Sequence, residues 1–131
     1  MNRLISIIAN LKLKELEVVE KLSENFIPNE KILRSLISPN QHSFIAVNGD
    51  WKEVLGYSED DCVNNSVNMI LPKKEIERTS KFISTLKNVK EGFSEYKCEV
   101  ITKGGDVLQT IWRLKYYSDL NIIISIGRLI K

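Results

Sequence analysis

Val47-Asn48-Gly49-Asp50-Trp51-Lys52-Glu53-Val54-Leu55-Gly56-Tyr57-Ser58 is the stretch that organises the rest of the chain. Asn48-Gly49-Asp50 interrupts the apolar run before it, because these residues favour turns over extended pairing. Asp50 is placed to cap a short helix over Trp51–Leu55. Gly56 follows where a helix ends with least strain in the left-handed conformation. Ser58-Glu59-Asp60-Asp61 then reads as a second helix start, a capping serine followed by acids at the positive end of the helix dipole. A strand that gives way at once to short, capped helices is the signature of a mixed domain.

Working toward the N-terminus, His42 to Asn48 carries Phe44, Ile45 and Val47 and reads as a strand. Ser38-Pro39-Asn40-Gln41 before it is turn chemistry. Lys31 to Ile37 is apolar and β-branched, so the two runs suggest a hairpin, with a short helix over Lys31–Ile37 the alternative. Pro28 closes what precedes. On a helical wheel Leu4, Ile7, Ile8, Leu11, Val18, Val19, Leu22 and Phe26 share one broad face, although Glu15 intrudes on it. One amphipathic helix over residues 1–29 is expected, too irregular for a long coiled coil.

Working toward the C-terminus, Pro72 opens a longer helix with Ile76, Thr79, Phe82, Ile83 and Leu86 at helical spacing, ending by Glu91-Gly92. The last forty residues change to a period of two. Tyr96-Lys97-Cys98-Glu99-Val100 alternates, Lys103-Gly104-Gly105-Asp106 is a hairpin turn, and Leu108, Thr110, Trp112, Leu114 and Tyr116 alternate against Gln109, Arg113 and Lys115. A turn near Ser118-Asp119 leads into Leu120 to Leu129. A hairpin, several short helices and a three-stranded meander predict an α+β layout.

That order of elements resembles the PAS domains, and the motifs sharpen the likeness. Asn48 through Ser58 is similar to the family's pattern of Asn, two residues, an aromatic, then Leu-Gly-Tyr-Ser and acids. Glu95-Tyr96 through Asp106 resembles its charged strand and turn, Trp112 matches a frequent tryptophan, and Ile126-Gly127-Arg128-Leu129-Ile130 is similar to its closing Gly-Arg-Asp-Ile. The likeness covers about residues 30–131. It implies a five-stranded antiparallel sheet with short helices on one face, behind the N-terminal helix. Three departures stand out: Leu71-Pro72-Lys73-Lys74 replaces His-Pro-Asp-Asp, Leu129 replaces the closing acid, and Gly105-Asp106 reverses the usual turn order.

The resemblance implies a sensory or regulatory module that acts by binding a ligand or by dimerising. The alternative is a structural protein–protein interaction domain with a filled core. Between helices and sheet, Met69, Ile76, Phe82, Ile83 and Leu86 are expected on one wall of a candidate pocket, and Tyr96, Cys98, Trp112, Leu114 and Ile124 on the other. Ile111 and Ile123 are expected on the outer sheet face, an apolar patch that calls for a partner. Leu4, Ile8, Leu11, Val18, Leu22 and Phe26 are the candidate cover, within a homodimer.

Other chemistry is poorly provided for. Flavin-adduct photochemistry of the light-oxygen-voltage kind requires an Asn-Cys-Arg-Phe cysteine, and by the resemblance that site falls at Val67. Haem-binding relatives take an axial histidine from the long helix, which here has none. No cofactor is therefore expected, although a small-molecule ligand is compatible with the pocket. His42 is the sole imidazole, so a Ser-His or Cys-His pairing has one base to draw on, and no enzymatic activity is expected. Glu59-Asp60-Asp61 reads as a capped helix start rather than a metal cluster. Cys62 and Cys98 share no metal spacing with His42 and read as ordinary thiols.

Bulk properties agree. The chain has 131 residues, enough for one domain with its own core. Apolar residues make up 43% and charged residues 27%, a globular balance. Nineteen basic against seventeen acidic residues leave a net charge of +2, which does not advertise nucleic acid as a partner. No apolar run approaches the ~20 residues that span a bilayer, so a cytoplasmic location is the expectation. No output motif accompanies the domain, which implies either a piece of a larger signalling protein or a module acting on a partner in trans.

Overall fold

The computed structural model describes residues 31–130. The helix expected over residues 1–29, with its stripe from Leu4 to Phe26, lies outside the described residues. Strand β1 (Leu33–Ser38) pairs antiparallel with β2 (Ser43–Gly49), so the run from Lys31 to Ile37 takes the hairpin option rather than the helical one. Helices α1 (Trp51–Leu55) and α2 (Glu59–Cys62) follow. A 3-10 turn over Val67–Ile70 leads into α3 (Lys73–Thr85), which tightens into a second 3-10 turn over Leu86–Asn88. Strands β3 (Ser94–Ile101), β4 (Val107–Tyr117) and β5 (Ile122–Leu129) complete the chain.

The sheet order is β2-β1-β5-β4-β3, antiparallel throughout. The last strand thus enters the middle, pairing with β1 on one side and β4 on the other. This joins the N-terminal hairpin to the C-terminal meander and leaves β2 and β3 as edges. One face of the sheet carries the main core, in which Leu33, Phe44, Trp51, Leu55, Leu86, Val100 and Ile123 are among the most deeply buried side chains. Each large apolar group removed from water contributes about 1.5–3 kcal/mol against the chain entropy.

The motif from Asn48 to Ser58 clamps the helical segment to one end of this face. Trp51 donates its indole N–H to the Arg34 carbonyl at 2.9 Å and meets Phe44 edge-to-face, ring centroids 5.3 Å apart. Gly56 takes φ +84°, and Leu55 accepts the Lys103 amide at 2.8 Å, tying α1 to the β3–β4 turn. Asp50 behaves differently from the sequence expectation. Its side chain does not cap α1 but accepts the Ile32 amide at 2.9 Å, because the preceding chain lies closer than the first helical turn. Ser58 forms a full capping box with Asp61, so the acidic triplet is occupied with starting α2.

The phase of β5 also departs from expectation. In the register Trp112 faces Gly127, Leu114 faces Ser125 and Tyr116 faces Ile123, which puts Ile123 on the inner face with the main core. Ile124, expected on the pocket wall, lies on the outer face with Leu36, Ile122 and Ile126. The two assignments are exchanged because Ile122-Ile123-Ile124 has no polar alternation, and a one-residue slip inverts every side chain. Ile111 does alternate away from Trp112 and pairs with Arg128 on the outer side.

Candidate functional site

A cavity of about 40 Å³ lies between α3, the 3-10 turn before it and the inner face of the sheet. Its existence follows from side-chain size on the central strands. Ser35 of β1 pairs with Ser125 of β5, and Gly127 lies two residues further along β5, so three small residues interrupt a face of large ones. The space over Gly127 is taken: a Cβ built there would stand 2.3 Å from Cε3 of the Trp112 ring. The space over the two serines is not, and they line the cavity.

The walls bring together much of the expected set. Phe82 and Ile83 of α3 line the cavity, as do Tyr96 and Cys98 of β3 and Trp112 and Leu114 of β4. Met69, Ile76 and Leu86 do not. Leu86 is wholly buried deeper in the main core, while Met69 and Ile76 are half-buried at its margin. Ile124 is excluded by the phase of β5. Sequence reasoning missed Ser35, Ile37, Phe44, Val67, Ile70, Leu71, Thr79 and Ser125 as wall residues. For Ser35 a signal existed, since a serine between Leu33 and Ile37 on the inward period is an unusual choice for a core position.

Most polar groups around the cavity are already engaged. The Thr79 and Tyr96 hydroxyls share a 2.8 Å hydrogen bond, and Phe82 stacks on the Tyr96 ring with centroids 4.2 Å apart. Trp112 donates its indole N–H to Thr110 Oγ1 at 2.7 Å, and Thr110 donates to the Cys98 carbonyl at 2.8 Å. Burial pushes the Cys98 thiol and the Tyr96 phenol above their ordinary values, so both are neutral at physiological pH. Ser35 is the exception. Its hydroxyl is buried and has no hydrogen-bond partner among the described residues.

Helix α3 is held over the cavity by a polar latch on edge strand β3. The Glu75 carboxylate accepts the Glu99 amide at 2.7 Å, and Arg78 donates to the Lys97 carbonyl at 2.9 Å. Arg78 also bridges both Glu75 oxygens. Carboxylate and guanidinium together occupy the outward C=O and N–H either side of Cys98, as a parallel neighbouring strand would. Burial alone would raise the Glu75 pKa, but the Glu99 amide and Arg78 outweigh it and hold the group below its usual value.

No protein-family model and no curated protein matches the chain. Solved structures do. The PAS domain of the Cronobacter turicensis RpfR quorum-sensing receptor, in complex with BDSF, superposes with a TM-score of 0.64 at 15% identity. The match covers 82% of this chain and 99% of that one. Drosophila melanogaster Cycle PAS-B with bound ethylene glycol gives a TM-score of 0.66 at 13% identity over 75% of this chain and 99% of that one. A domain of a sensory box sensor histidine kinase/response regulator from Geobacter sulfurreducens gives 0.64 at 13% identity, covering 92% and 96%.

The chain has the PAS fold. Within it, the position that the resemblance matches to a photoreactive cysteine is Val67, a buried cavity wall residue. Cys62 is buried on α2, and burial pushes its thiol up to about 11. His42 lies in the β1–β2 turn with φ +51°, its Nδ1 3.4 Å from Ser80 Oγ, a long contact for an O–H···N bond. Among the described residues no group of three or more His, Cys, Asp or Glu side chains is disposed to hold a metal ion. No described helix is long and apolar enough to cross a membrane.

Proposed function

We propose that this PAS-fold chain is a sensory or regulatory module without enzymatic activity, acting in signal transduction through a ligand in its core and through dimerisation. The observation that carries the reading is the cavity under α3, walled by both layers of the fold and containing a buried hydroxyl, Ser35 Oγ, with no hydrogen-bond partner among the described residues. Neighbours of the same fold in complex with BDSF, C12:0 or ethylene glycol support ligand binding. The cavity, about 40 Å³, is too small for flavin or haem without rearrangement, so the reading includes no such cofactor. The same small volume favours the second reading, an interaction domain whose core is filled.

Dimerisation is argued from the other side of the sheet. Leu36, Ile122, Ile124 and Ile126 form a second apolar cluster there, joined by half-buried Ile45, Ala46 and Tyr117. Arg113 and Arg34 flank Ile126 in the register, and Lys115 faces Ile124. Residues 4–26 offer the complement, an apolar stripe on which Glu15 intrudes, with Lys12, Lys14, Glu17, Glu20, Lys21 and Glu24 mostly off it. We place this segment on the outer face, within a homodimer, with a signalling partner or effector domain as the recipient of the response.

Native mass spectrometry and thermal shift across a metabolite panel test the ligand. At least one adduct or stabilising compound is expected. A protein with neither a co-purified species nor any shift is the filled-core interaction domain.

A further inference from the structure

The chemistry of the cavity restricts what it can accept, an inference that rests on the ligand-binding reading above. None of the wall residues among the described residues is Asp, Glu, Lys, Arg or His, so an ionised head group would lose its hydration without a counter-charge. A volume of about 40 Å³ limits the guest to a molecule of a few heavy atoms. The walls are overwhelmingly apolar, and their hydrogen-bonding groups are largely spent. Thr79 is bonded to Tyr96, and the Trp112 indole is bonded to Thr110.

One group is left over. Ser35 is 4% exposed, lines the cavity and has an Oγ without a partner among the described residues. An unbonded buried hydroxyl costs on the order of a lost hydrogen bond, so it is a group that a ligand can satisfy. Ser125, across the β1–β5 pairing, keeps the floor beside it low. A lone water would need two to four polar partners, and this floor with its apolar walls suits a molecule that is mostly hydrocarbon.

We propose that the cavity receives a small uncharged molecule, apolar except for one hydroxyl or carbonyl group, which hydrogen-bonds to Ser35 Oγ. A short-chain alcohol is the simplest member of that class. With no cation among the described wall residues, the carboxylate form of an acid is disfavoured at this floor.

The test uses the full 131-residue chain with labelled isoleucine, leucine and valine methyls, titrated separately with 1-propanol and with xenon. Both probes are expected to shift the methyls of Ile37, Ile83 and Leu114, while Ile124 and Ile126 on the opposite face serve as controls. Ser35→Ala is expected to weaken 1-propanol roughly fivefold and to leave xenon unchanged. Ser35→Val, which fills the floor, is expected to exclude both. Equal 1-propanol affinity in wild type and Ser35→Ala overturns the role of Ser35. Entry of xenon but not 1-propanol overturns the ligand class while leaving an accessible pocket. Failure of both probes to reach the wild-type cavity sinks the ligand-binding reading itself.

Discussion

Gly127 and Trp112 act as one unit. The ring occupies the volume that any side chain at 127 would need, and its indole N–H is spent on Thr110. Gly127→Ala forces the ring out of its place in the main core, next to Trp51 at a centroid distance of 6.0 Å. A loss of about 1–3 kcal/mol is expected from such overpacking, read as a lower urea midpoint by tryptophan fluorescence. An unchanged midpoint would mean that the ring yields freely. At this scale the sequence was partly legible. Trp112, Leu114, Tyr96 and Cys98 sit where strict alternation puts them. The phase of Ile123 and Ile124 was not legible, because three consecutive isoleucines present the same surface to either side. Nor was the absence of a partner for Ser35 among the described residues, which depends on what the other layer brings above it.

The elements are held together by side-chain contacts that no local pattern announces. Glu75 and Arg78 were an ordinary i,i+3 pair on a helix until the fold set them against the open edge of β3. Glu75→Ala strips the Glu99 amide of its acceptor, with an expected cost of about 1–3 kcal/mol. Hydrogen exchange at the Glu99 amide should accelerate markedly, while the buried rung at Val100 slows or speeds only with global stability. Equal protection at Glu99 in both proteins would remove the latch from the account. The capped start of α2 makes a second prediction. Asp61 is held down to about 2, first by its bond with Lys103 and then by the Ser58 backbone. Glu75 is lowered as well. A lowered carboxylate stabilises the fold above its unfolded pKa, near 4, and that contribution disappears as pH falls toward 2. The urea midpoint should therefore stay level from pH 7 to 5 and drop below about pH 4. Asp61→Asn should lower the midpoint at pH 7 and bring the two proteins together in acid; a gap that does not narrow as pH falls from 4 toward 2 would exclude this linkage.

For the whole molecule, the two faces of one sheet divide the work. The inner face, with its small central residues, holds the cavity, and the outer face carries the second apolar cluster framed by basic residues. If residues 4–26 serve the outer face in a homodimer, a chain beginning at Asn29 should sediment and scatter light as a monomer. A dimer unchanged by the truncation would assign the interface elsewhere. A stripe of apolar residues in a sequence shows that a helix needs a surface. It does not show which surface, since any apolar face of suitable width satisfies it.

The sequence by itself determined the order of elements after Ser38, because turn chemistry, helix ends and hydrophobic period are local and were written plainly at Gly56–Ser58, Pro72 and Lys103–Asp106, while it left Lys31–Ile37 open between strand and helix. It also determined which residues of β3 and β4 face inward. Only the tertiary structure decided that β5 enters the middle of the sheet, and with which phase. Only the tertiary structure opened the space above Ser35 and Ser125, since a cavity is a difference between what two layers supply and what they need. The stretch from Asn48 to Ser58 holds those layers in register, and the site lies where their side chains fail to meet.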